Sequence, residues 1–127
     1  MLHHVTLWVP SLERAEPSWR WLLGELGYEL ERASPTLLLF RHPGGVAIVL
    51  EQSTDMVPGM LFSRLRPGMN HLAFTLPEGT TLDKLLEVAP DHGWSPLDVD
   101  RHPIAGGADV GYLEDRDGFE VELVTPR

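Results

Sequence analysis

HVTLWVP, residues 4–10, is the stretch whose reading decides the fold. As a strand it alternates between two faces. Val5, Leu7 and Val9 make an apolar face that needs a core, and His4, Thr6 and Trp8 make a mixed one. The same pattern returns as HLAFTLP, residues 71–77. Both copies begin with His, end with Pro and carry apolar residues at the second, fourth and sixth positions. Leu72, Phe74 and Leu76 therefore oppose a face of His71, Ala73 and Thr75.

The segments downstream of the two copies also match. After Pro10, Ala15, Trp19, Leu22, Leu23 and Leu26 recur at helical spacing, and Gly27 stands where a helix would end. Pro17 either opens this helix or kinks a longer one. After Pro77, Leu82, Leu85, Leu86 and Ala89 repeat the spacing, with Thr80 and Asp83 as a capping pair and Gly93 at the end. GYEL (27–30) and GWSPL (93–97) then open the next strand of each half. TLLLF (36–40) and ADVGYLE (108–114) supply a further strand. HPGGVAIVLEQ (42–52) corresponds to DRDGFEVELVT (115–125) when Gly45 is set on Gly118. Each half thus reads strand–helix–strand–strand–strand, and an internal repeat of this kind sets the architecture. Module one covers about residues 1–52, a Pro- and Met-rich joint 53–69, and module two 70–127. A half of about sixty residues is marginal alone, so both are expected to form one domain.

Composition narrows the classes. Of 127 residues, 43% are hydrophobic and 23% charged, the balance of a soluble globular protein. The net charge is −9 with no run of Lys or Arg, which argues against nucleic acid or an anionic membrane as partner. VAIVL (46–50) is too short to span a bilayer, and no secretory signal pattern opens the sequence, so the expected location is the cytoplasm. There is no cysteine, which excludes disulfides, thiolate nucleophiles and Cys-type zinc sites. Any metal must be held by His and carboxylate. AGGADVG (105–111) lacks the Gly-Lys-Ser/Thr ending of a phosphate loop and reads as a hairpin.

A carboxylate comes from FEVELV, residues 119–124, where Glu120 and Glu122 share the face opposite Phe119, Val121 and Leu123. With the helices on the outside of the sheets, His4, His71 and Glu120 or Glu122 look into one cavity. Two imidazoles and a carboxylate suit Fe(II), Mn(II), Ni(II) or Zn(II), and three protein ligands leave positions open for substrate. The competing reading has the acids facing solvent and the histidines lining a metal-free cleft. His3 competes with His4, because a slip of one residue exchanges their faces; the repeat selects His4. Glu51 and Glu120 are candidate bases.

These residues resemble the vicinal oxygen chelate superfamily of glyoxalases, bleomycin-resistance proteins and extradiol dioxygenases. The carriers are HVTLWVP with LLGELGYE (22–29), NHLAF (70–74) and YLEDRDGFEVEL (112–123), the last with Arg116 in place of the family's proline. The resemblance implies an α+β fold of paired βαβββ modules whose curved mixed sheets enclose a metal-binding cleft, with ligands at His4, His71 and Glu122. Lactoylglutathione lyases add a glutamate on the fourth strand of module one. That position is Val49 here, with Glu51 two residues on. Extradiol dioxygenases carry an acid/base histidine and a tyrosine, near which His102 and Tyr112 fall; a phenol or imidazole there would protonate or orient a bound oxygen.

The expected function is a divalent-metal-dependent lyase, isomerase or ring-cleaving dioxygenase acting on a small molecule with neighbouring oxygens. The alternative is a metal-free drug- or metabolite-binding protein of the bleomycin-resistance kind. Small family members dimerise, and LFSRLRPG (61–68) offers apolar residues either for a homodimer interface or for an ordered crossover.

Overall fold

A computed structural model describes residues 1–97 and 109–126. The chain divides into two compact units, Met1–Leu61 and Phe62–Arg127. The first contains β1 (His4–Trp8), α1 (Leu12–Glu25), β2 (Glu29–Ala33), β3 (Leu37–Arg41) and β4 (Ala47–Glu51). The second contains β5 (His71–Thr75), α2 (Leu82–Val88), a 3-10 turn (Ala89–His92), β6 (Ser95–Pro96), β7 (Val110–Glu114) and β8 (Glu120–Val124). Both units are therefore βαβββ modules. Their four-stranded sheets run in the orders β1-β4-β3-β2 and β5-β8-β7-β6. In each sheet the first strand pairs in parallel with the last, and the other pairings are antiparallel.

The two modules repeat one another at the level of single hydrogen bonds. Gly27 (φ 90°) and Gly93 (φ 83°) end the helical segments in the left-handed region, which glycine enters without a Cβ clash. At the first, Tyr28 N–H reaches Leu23 O (2.8 Å) and Gly27 N–H reaches Gly24 O (3.1 Å). At the second, Trp94 N–H reaches Ala89 O (3.2 Å) and Gly93 N–H reaches Pro90 O (3.4 Å). Both are Schellman closures. The turns into β4 and β8 match too: Gly45 N–H donates to His42 O (2.8 Å) and Gly118 N–H to Asp115 O (3.2 Å). In the second turn Asp115 Oδ1 accepts from the Asp117 and Phe119 amides, each at 2.9 Å. In the first, His42 Nδ1 takes the amide of Gly44, also at 2.9 Å.

Sequence patterning accounts for the cores. In α1 the buried residues Leu12, Ala15, Trp19, Leu22 and Leu23 follow helical periodicity. Ser11 caps the helix, its hydroxyl accepting from Arg14 N–H at 3.1 Å, and Leu12 N–H donates to Gln52 Oε1 at 2.8 Å. Pro17 lies inside this helix rather than at its start. Leu38, Phe40, Ile48 and Leu50 bury the sheet of the first unit; Phe74, Trp94, Leu113, Val121 and Leu123 are buried in the second. A Cβ at Gly111 would meet Leu86 Cδ1 at 3.0 Å and Leu82 Cδ1 at 3.2 Å, so α2 lies against β7 where that strand has no side chain.

One local expectation needs correction. The cap of α2 is Thr81, not Thr80, and its side chain makes no capping bond, so Thr80 and Asp83 do not form a capping box. Within the second unit Phe62 stacks on Phe119 with ring centroids 4.0 Å apart. Among the described residues no helix is long and apolar enough to cross a membrane.

Candidate functional site

Strand register places the candidate residues, because directly paired residues share a face of the sheet. In the second unit one row runs His71–Glu120–Glu114 and the next Ala73–Glu122–Tyr112. In the first unit the corresponding rows are His4–Ala47–Arg41 and Thr6–Val49–Leu39, with Trp8–Glu51–Leu37 beyond them. His4 and His71 therefore occupy one position of the repeat. His4, not His3, pairs with Ala47, which fixes the register in its favour. Val49 occupies the position held by Glu122.

In the second unit four side chains form a connected chain. His71 Nε2 lies 3.0 Å from Glu122 Oε2. The Tyr112 hydroxyl, across the ladder from Glu122, donates to its other oxygen at 3.5 Å. On the far side of the ring, His71 Nδ1 is 2.8 Å from Asn70 Oδ1, and Asn70 Nδ2 donates to Arg64 O at 3.0 Å. Glu122 is buried, and the His71 side chain is 28% exposed, which leaves the ring open to a ligand. Glu120 is also buried. The Arg64 guanidinium reaches it at 4.0 Å and holds Glu114 at 2.8 Å.

The remaining candidates separate. Glu51 accepts a hydrogen bond from the Trp8 indole N–H at 2.8 Å. His4 is exposed, with its Nδ1 2.8 Å from His3 Nδ1. His102 lies outside the described residues. Within each unit, the described residues gather no group of three His, Asp or Glu side chains suited to an ion. Asn70 and Arg64 were not marked by the sequence as site residues. An amide directly before His71 was the available signal for the first; nothing local signals Arg64, whose partner Glu114 lies 50 residues away.

Duplicated βαβββ modules with a histidine heading each first strand, and a His–Glu–Tyr cluster in the second, define a glyoxalase-like class of protein. Comparison with known proteins agrees. The chain belongs to the Glyoxalase/Bleomycin resistance protein/Dioxygenase superfamily, which it matches over residues 3–112. It is 35% identical to the uncharacterized protein YqjT of Bacillus subtilis over 128 residues, 98% of both chains. It resembles the crystal structure of a candidate glyoxalase from Bacillus halodurans at 38% identity and TM-score 0.85, covering 99% of this chain and 96% of that one. At 21% identity and TM-score 0.67 it shares its fold with the fosfomycin resistance protein FosX of Listeria monocytogenes, covering 98% and 88% of the two chains. That structure, of a mutant, is complexed with Mn(II) and 1S,2S-dihydroxypropylphosphonic acid.

Proposed function

We propose that this chain is a divalent-metal-dependent enzyme acting on a small molecule with two neighbouring oxygens, as a lyase, isomerase or ring-cleaving dioxygenase. The observation that carries the reading is the meeting of His71 Nε2 and Glu122 Oε2 at 3.0 Å on a partly open face. An imidazole nitrogen and a carboxylate oxygen are hard-to-borderline donors that suit Fe(II), Mn(II), Ni(II) or Zn(II). His4 is the third donor, on the strength of its shared repeat position with His71. With Val49 where a fourth donor would stand, the set is two histidines and one glutamate.

The ion, when bound, supplies Lewis acidity toward the two oxygens of the substrate. The protein's own contribution is orientation and proton handling. Tyr112 holds one Glu122 oxygen, so that the other is directed at His71. Glu120 beside Arg64 and Glu51 beside Trp8 are the carboxylates available for proton transfer. His102 is the remaining candidate acid or base.

Sequestration of a drug or metabolite without metal is the second reading. The observation favouring it is Trp8, 46% exposed with its indole N–H held by Glu51, an aromatic surface beside a negative charge that suits an aromatic cation. Metal analysis of the chain purified without a histidine tag separates the two. Stoichiometric metal that is lost in His71→Ala supports the enzyme; its absence after growth with Fe, Mn, Ni and Zn supplied supports the binder.

A further inference from the structure

We propose that Asn70 is a positioning residue that presents His71 to a cation through Nε2, with the Arg64–Asn70 loop as its support. The inference rests on the reading of His71 as a metal ligand and adds a means of orienting it.

Both nitrogens of the His71 ring face oxygen acceptors: Nδ1 meets Asn70 Oδ1 at 2.8 Å and Nε2 meets Glu122 Oε2 at 3.0 Å. A neutral imidazole has one N–H and one lone pair, so it can donate to only one of them. The Asn70 amide settles which. Its Nδ2 is committed to Arg64 O at 3.0 Å, so its oxygen, an acceptor, is the atom turned to His71. Nδ1 must then carry the proton, and the Nε2 lone pair points at a carboxylate. Nε2 and Glu122 Oε2, 3.0 Å apart, form a two-donor edge that a cation can share.

The support is anchored at both ends of the loop. Arg64 contributes its carbonyl to Asn70, while its guanidinium is tied to Glu114 at 2.8 Å and approaches Glu120 at 4.0 Å. Glu114 and Glu120 stand in the same ladder row as His71. The loop is thereby pinned to the strands that carry Glu122 and Tyr112. Outer-sphere acceptors of this kind fix the tautomer and ring angle of a ligating histidine, and their loss typically costs about 10–100-fold in metal affinity.

The test uses Co(II) on the full chain, with affinity measured by chelator competition and the exchangeable ring N–H of bound histidine followed by proton NMR. Asn70→Leu removes the acceptor and is expected to weaken Co(II) binding about 10–100-fold. It should also speed solvent exchange of one shifted histidine N–H signal. Asn70→Asp keeps an acceptor at Nδ1 but gives up the donor to Arg64 O, so it is expected to retain the signal and to bind the ion more tightly than Asn70→Leu. A merely structural role would lower thermal stability without moving the N–H signal. If wild type takes up no Co(II), the metal reading fails and this proposal with it. If wild type binds but Asn70→Leu matches it in affinity and exchange, or Asn70→Asp binds no better than Asn70→Leu, only the positioning role is overturned. The Asn70→Asp comparison stands even if Asn70→Leu does not fold.

Discussion

His71 meets Glu122 although the residue directly across the parallel ladder from it is Glu120. The two acids alternate onto one face of β8, but their surroundings divide the work. Arg64 approaches Glu120, whereas Tyr112 donates to one Glu122 oxygen and His71 Nε2 lies 3.0 Å from the other. A guanidinium near one and a phenol donor on the other distinguish two acids that the sequence pattern leaves equivalent.

Metal should therefore stabilise the fold through Glu122. Added Mn(II) at about one hundred times its dissociation constant is expected to raise unfolding free energy by about 2.7 kcal/mol. In Glu122→Gln the gain should disappear, because the amide is a far poorer ligand. Thermal melts with and without Mn(II) check both.

Arg64→Ala should destabilise the second unit by about 3 kcal/mol, because it strips the nearby countercharge from a buried glutamate. Adding Glu120→Gln should reduce that loss, since the buried acid no longer carries the charge that Arg64 faces. Urea unfolding of the single and double variants gives the coupling.

Val49→Glu would place a carboxylate at the repeat position of Glu122 in a site only 6% exposed. Without metal it should cost about 3 kcal/mol, the penalty of a buried charge without a partner. Melting temperatures of the variant and of wild type measure the loss.

Alkaline stability should depend on Tyr28. Burial disfavours the phenolate and raises this group above its ordinary value of 10.0. A group whose pKa is raised on folding gives stability that is full below its unfolded value and lost as pH rises through the folded one. Denaturant midpoints of wild type should therefore fall above about pH 10, and Tyr28→Phe should remove part of that fall.

Much of the architecture was legible because it is written in repeats. The His-to-Pro strands, the glycines at 27 and 93, and those at 45 and 118 all sit where backbone geometry leaves few alternatives. Setting Gly45 on Gly118 gives the register observed in both sheets, including the equivalence of Val49 and Glu122. The meeting of Tyr112 with Glu122 follows from pairing across the ladder. Less was legible where side chains reach across the chain. Arg64 lies in a stretch read as a joint, and its partners are set by folding rather than by spacing. The start of α1 was ambiguous because Pro17 is tolerated inside the helix, and the cap of α2 shifted by one residue because Thr80 and Thr81 are adjacent.

The parallel joining of first strand to last in each module has a kinetic consequence. Trp8 and Glu51 come together across 43 residues, so β1 is an edge strand whose placement closes the longest loop of its sheet. Hairpins between successive strands close far shorter loops and can form earlier. The imidazole at the head of each module is thus expected to be fixed after the neighbouring hairpins have formed. A fraying edge would release the histidine before the rest of the sheet, so early amide exchange along β1 and β5 would report loss of binding capacity ahead of unfolding.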